Sequence, residues 1–204
     1  MIKVILASKS PRRKEIMERM GITFESMVAD LDEKMSKKEP GPMVEDLARQ
    51  KAERIAERIA EIIEDDIDNK IIIIGADTMV FQKGKPLGKP IDENDAIRML
   101  ENISDDVHEV YTGVYIIIIE SGKIVNRISF ANHTRVWVNP LSEKQISDYL
   151  ASGEAMDKAG AYGIQGSFGI FIKKIEGDYY NVVGLPIAEV YEKLLEVGID
   201  LLDL

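Results

Sequence analysis

The chain has 204 residues, 45% hydrophobic and 30% charged, with 36 acidic side chains against 26 basic ones and a net charge of -10. This is enough for one sizeable core or two small lobes sharing a sheet, and the composition excludes a disordered or fibrous protein. The acidic balance excludes nucleic acid as an expected partner, although a local basic pocket could still hold a small phosphate. The absence of cysteine removes disulfides, zinc thiolate sites and cysteine nucleophiles together, so the chemistry must come from oxygen and nitrogen groups.

In chain order, Ile2 to Ala7 suits a first buried strand, stopped by Ser8, Lys9, Ser10 and Pro11. The amino terminus carries its positive charge after a short apolar run, the reverse of a secretory signal, and no stretch approaches the roughly 18 apolar residues of a membrane span. A cytoplasmic protein with no membrane partner is expected. Ser10 followed by Pro11 reads as an N-cap with proline at the first helical position, predicting a helix from Pro11 to Met20 that closes at Gly21. Arg12 and Arg13 in its first turn oppose the helix macrodipole, which points either to a bound anion or to arginine stems lying along the surface.

Ile22 to Val28 reads as a short strand, and Asp30, Asp32 and Glu33 in the following loop offer hard oxygen ligands without EF-hand spacing. Pro42 opens a helix expected to run to about Glu64, with Val44, Leu47, Ala48, Ala52, Ile55, Ala56, Ile59, Ile62 and Ile63 at helical spacing. Lys51 lies on or beside that apolar stripe, either snorkelling from its edge or reaching into a pocket.

The central stretch is IIIIGADTMVF, Ile71 to Phe81. Four isoleucines between Asn69, Lys70 and Gly75 predict a strand buried on both faces, with Gly75, Ala76, Asp77 and Thr78 at its carboxyl end. Open α/β sheets place their chemistry there, although an acid at a strand end also serves as a turn former or helix cap. A hairpin turn follows at Lys83-Gly84-Lys85, a tight loop at Gly88, Lys89 and Pro90, and a helix capped by Asp92. Val107 to Ile119 and Ile124 to Val138 are two long strands joined by a turn. His108, Thr112 and Thr134 within them are expected to face outward or to bond internally, and His108 receives no catalytic role.

Ser142 and Gln145 form a capping box for a short helix ending near Gly153. Glycines at 153, 160, 163, 166 and 169 then permit positive φ and close backbone approach. Phe171 to Ile175 and Tyr179 to Val183 read as a last hairpin, and Pro186 opens a terminal helix with Gly198 past its end. No repeat, low-complexity segment or linker interrupts the chain, which reads as one continuous α/β domain over residues 1–204.

Five segments occur together in the order SKSPRR at 8–13, DE at 32–33, LARQKA at 47–52, GADTMV at 75–80 and DKAGAYGIQG at 157–166, with GKP at 88–90 and NVVGLP at 181–186. In this combination the whole chain resembles the Maf family of nucleoside triphosphate pyrophosphatases, also known as septum-formation inhibitor proteins. The resemblance implies a mixed twisted sheet flanked by helices, two lobes around a cleft, and an architecture related to inosine triphosphatase. It implies hydrolysis of a nucleoside triphosphate to the monophosphate and pyrophosphate with a divalent metal (Mg, Mn or Co).

Carried across, Asp77 matches the proton acceptor, while Arg12, Arg13, Lys51 and Lys89 match basic triphosphate contacts, with Ser8 beside them in the substrate-binding set. Glu33, with Asp77, matches the metal side. Arg12, Thr78 and Gln165 match positions linked to substrate choice, and GADT with AYGIQG is similar to the subgroup acting on dTTP and UTP. A non-catalytic regulator of cell division, or a pyrophosphatase for ITP or 7-methyl-GTP, is the alternative, and a homodimer is left open.

Overall fold

A computed structural model describes residues 2–61 and 70–203. Its strands are β1 (Ile2–Ala7), β2 (Glu25–Ser26), β3 (Lys70–Gln82), β4 (Lys85–Leu87), β5 (Val107–Glu120), β6 (Lys123–Val138) and β7 (Ile172–Glu176). Its helices are α1 (Pro11–Arg19), α2 (Pro40–Ala60), α3 (Glu93–Ile103), α4 (Glu143–Ala151), α5 (Tyr179–Val183) and α6 (Ile187–Leu195). All seven strands form one sheet in the order β2-β1-β3-β5-β6-β7, with β4 alongside β3. It is mixed: β1 runs parallel to β2 and β3, whereas β4 pairs antiparallel with β3 and β7 with β6. Among the described residues, no helix is long and apolar enough to cross a membrane.

The chain forms two compact units. The first comprises 1–77, 112–132 and 184–204, the second 78–111 and 133–183, and β3, β5 and β6 each contribute residues to both. In the first unit, Ile71 to Ile74 are buried, as a strand covered on both faces requires. The apolar stripe of α2, through Ala48, Ala52, Ile55 and Ile59, packs with Ile5, Ile73 and Ile117. Contact is close because β3 and β5 present glycines to the helix. A Cβ on Gly75 would come within 2.4 Å of the Ala48 carbonyl oxygen, and one on Gly113 within 2.2 Å of the Val44 carbonyl carbon.

The second unit packs Leu100 and Ile103 of α3 with Ile146 and Tyr149 of α4 and with Tyr162 and Phe168. Asp92 caps α3 by accepting from the Asp95 amide at 2.8 Å. The Ser142–Gln145 capping box is formed.

Several expectations are corrected. The Ser10 side chain makes no cap hydrogen bond at α1, which starts on Pro11 alone, and the Ile22 to Val28 strand shrinks to two residues. Helix α2 starts at Pro40, whose fixed φ suits a first turn, and Ile62, Ile63, Glu64 and Asn69 lie outside the described residues. Tyr179 to Val183 is a helix, because the Tyr180 amide donates to Asp178 Oδ1 at 2.7 Å and Asn181 Nδ2 donates to the Val110 carbonyl at 3.0 Å. Strand β7 therefore pairs with β6.

His108 bonds internally, its Nε2 lying 2.7 Å from the Tyr162 hydroxyl in a fully buried setting. Burial lowers its pKa from 6.5 to about 4, only partly opposed by Asp106. The imidazole is thus neutral when folded while the unfolded chain binds a proton below about 6.5. Between about pH 6.5 and 4 the unfolded state holds the extra proton, so stability falls as pH falls through that window. Denaturant titrations across it should show a shallower decline for His108→Gln than for the wild type, and equal slopes would contradict the assignment.

Candidate active site

The strand β3 does not end at Asp77. It runs on to Gln82 because Val80, Phe81 and Gln82 pair with Leu87, Pro86 and Lys85 across the Lys83-Gly84 turn. The acid therefore projects from the middle of a long strand, where the backbone is held by its neighbours rather than by a flexible loop. Thr78 follows it, half-buried.

In the first unit Lys51 meets two of the predicted acids, Asp77 and Glu33. Lys51 Nζ donates to Asp77 Oδ1 and lies 3.2 Å from Glu33 Oε1. The Lys51 and Asp77 side chains are 15% and 14% exposed, so their pair is shielded from water, whereas Glu33 at 44% sits at the rim. Lys51 reaches Asp77 because the glycine at 75 lets α2 settle onto β3 one turn away. Its ammonium is paired with acids rather than snorkelling to solvent.

Glu33 owes its place to Gln50, which was not singled out from the sequence. The Gln50 amide accepts from the Lys34 amide at 3.0 Å and donates to the Lys34 carbonyl at 2.9 Å, tying the acidic loop to α2 beside Lys51. Asp46 adds to the tie by accepting from Ser36 Oγ at 2.9 Å and from Gln50 Nε2 at 3.0 Å, and the Arg49 hydrogen bond holds its carboxyl below the usual range. The signal was present in LARQKA, whose polar residues lie between two structural neighbours of the site.

Arg13 turns back from the first turn of α1. Its Nε donates to the Gly184 carbonyl at 2.6 Å and its Nη1 to Ser8 Oγ at 3.2 Å, and its side chain is buried. Burial lowers its pKa, Asp77 raises it, Arg12 lowers it and Glu33 raises it. Arg12, Glu33 and Asp77 are therefore near enough to act on Arg13 electrostatically. Ser8 Oγ also accepts from the Ser10 amide at 3.1 Å. With no acid in the first turn of α1, Arg12 and Arg13 concentrate positive charge there.

Ser8, Arg12, Arg13, Glu33, Lys51 and Asp77 thus belong to the first unit, and Lys89, Thr78 and Gln165 to the second. Lys89 and Gln165 are exposed, and the Gly160 amide donates to the Gly88 carbonyl at 2.9 Å, joining the glycine-rich segment to the loop that carries Lys89.

The family described as Maf-like protein matches residues 3–197. The chain is a member of the Maf family. It is 44% identical to a protein named dTTP/UTP pyrophosphatase from Agathobacter rectalis, covering 98% of this chain and all of the relative. Proteins of the same name from Alkaliphilus metalliredigens and Bacillus cereus are 45% and 43% identical, the first over 95% of both chains and the second over 98% of both. Among solved structures, a HAM1 protein from Coxiella burnetii aligns at TM-score 0.41 and 12% identity over 68% of this chain and 73% of that one, too distant to bear on activity.

Proposed function

We propose that this protein hydrolyses dTTP and UTP, and modified uridine triphosphates, to the monophosphate and pyrophosphate. The observation that carries the reading is the convergence of Asp77 and Glu33 on Lys51, beside Arg13, in a chain whose full-length relatives bear that name. A triphosphate carries about four negative charges near neutral pH, and its transition state spreads charge over the transferred phosphoryl oxygens. Arg12, Arg13 and Lys51 of the first unit supply fixed cations for it in an otherwise acidic protein. Water attacks the α-phosphorus, the bond to the bridging oxygen breaks, and pyrophosphate leaves with that electron pair. Asp77 either accepts the water proton or serves as a metal ligand.

The carboxylates of Asp77 and Glu33 already share one cation, the Lys51 ammonium, and a pair of hard oxygen donors completed by substrate phosphates suits Mg or Mn. These two residues would hold such a metal, which when bound neutralises phosphate charge and acidifies water. In the second unit, the Gln165 amide offers a donor and an acceptor for the O4, N3-H and O2 edge of uracil or thymine. Cytosine presents an amino group where uracil has an acceptor, so CTP leaves polar groups mismatched.

Incubating the protein with dTTP and Mg or Mn should release one pyrophosphate per dTMP. Tight nucleotide binding without turnover would establish a non-catalytic regulator instead, and release of orthophosphate would overturn pyrophosphate as the leaving group.

A further inference from the structure

The exposed Gln165 sits on a backbone segment held at four places, all within the second unit. Gly160 and Ala161 both adopt left-handed backbone, at φ 71 and 61, and Ala161 is wholly buried. Such a conformation strains an alanine and persists only where the surroundings impose it. Next, the buried Tyr162 hydroxyl is fixed by His108 Nε2, and its ring packs against Phe168 with centroids 4.9 Å apart.

The two glycines flanking Gln165 complete the hold. A Cβ on Gly163 would lie 2.6 Å from Lys158 Cε, so the lysine stem rests on that glycine while its Nζ donates to the Glu154 carbonyl and to Asp157 Oδ1. A Cβ on Gly166 would lie 1.7 Å from Glu154 Oε2. The Glu154 carboxylate crosses that vacant position to accept from Ser167 Oγ at 2.9 Å and from the Ser167 amide at 3.3 Å to each oxygen. Lys158 thus holds the chain two residues before Gln165, and Glu154 holds it immediately after.

We propose that Glu154 is a positioning residue for base selection: its carboxylate, seated over Gly166 and bonded to Ser167, fixes the backbone from which Gln165 reads the nucleobase. The proposal rests on the reading of Gln165 given above. A side-chain amide discriminates donor from acceptor only if its own position is set, since misplacement by about 1 Å is worth up to about a hundredfold in rate.

The test compares kcat/KM for dTTP and CTP in wild type, Glu154→Ala, Glu154→Gln and Gly166→Ala, with thermal melts and amide hydrogen exchange of the 162–167 segment. Glu154→Ala and Gly166→Ala should reduce the dTTP-to-CTP ratio about tenfold and raise exchange in that segment. Glu154→Gln, which keeps an acceptor over Gly166, should restore most of the ratio. A purely structural role would instead lower both substrates equally, leaving the ratio unchanged, and that result overturns the proposal. If Glu154→Ala does not fold, Gly166→Ala and Ser167→Ala carry the same comparison. A wild type with no preference for dTTP over CTP overturns the base reading and this proposal together, whereas a selective wild type with unshifted variants overturns this proposal alone.

Discussion

Replacing Asp77 by Asn should lower kcat on dTTP by about two orders of magnitude or more while leaving triphosphate binding largely intact. Asn has the same shape and retains an oxygen that can accept from Lys51, so the contact between α2 and β3 survives. What disappears is the basic oxygen and the negative charge, which both candidate roles of Asp77 require. The cations proposed to hold the triphosphate in the first unit, Arg12, Arg13 and Lys51, keep their charge. Steady-state kinetics with a melting curve separate these effects: a variant with near-normal kcat would show that the central acid has been misassigned, and one that melts far below wild type would show a structural role instead.

Gly113→Ala should be the most destabilising single methyl in the first unit. The added Cβ would meet the Val44 carbonyl carbon at 2.2 Å, its oxygen at 2.3 Å and the Glu45 nitrogen at 2.4 Å. All three are helix backbone, so no side-chain rotation relieves the clash, and α2 must move away from β5. Overpacking of this kind costs about 3 kcal/mol at the upper end of its usual range, or a Tm lower by about 10 °C for a chain of this size. Gly75→Ala meets the same helix one turn from Lys51, at 2.4 Å from the Ala48 oxygen and 2.9 Å from Ala52 Cβ. It should depress activity as well as Tm by separating Lys51 from Asp77. A Tm for Gly113→Ala within about 2 °C of wild type would show that α2 is not seated on the two glycines.

Much of the framework was legible because its signals are local. The isoleucine run gives β3, the Lys83-Gly84 and Ser121-Gly122 turns give hairpin connections with positive φ, and Asp92 and Ser142 give helix starts. Misreadings arose where tertiary contacts overrode local preference. The β-branched and aromatic residues of Tyr179 to Val183 favour a strand, yet Asp178 caps a helix there and Asn181 anchors it to Val110 and Thr134. Asp77 read as the end of a strand because Gly75 resembles a stop, whereas that glycine is small so that a helix can approach. The Gln50 clasp on Lys34 joins residues 16 apart through backbone groups, and the Arg13 bond to Gly184 spans 171 residues. Neither leaves any periodicity to detect.

Base preference is read from a panel of kcat/KM values for the purified protein with Mg or Mn, across dTTP, UTP, CTP, ATP, GTP, ITP and 7-methyl-GTP. dTTP and UTP should stand at the head, with CTP, ATP and GTP poor and pyrophosphate the product in each case. ITP or 7-methyl-GTP ahead of both dTTP and UTP would contradict that ranking.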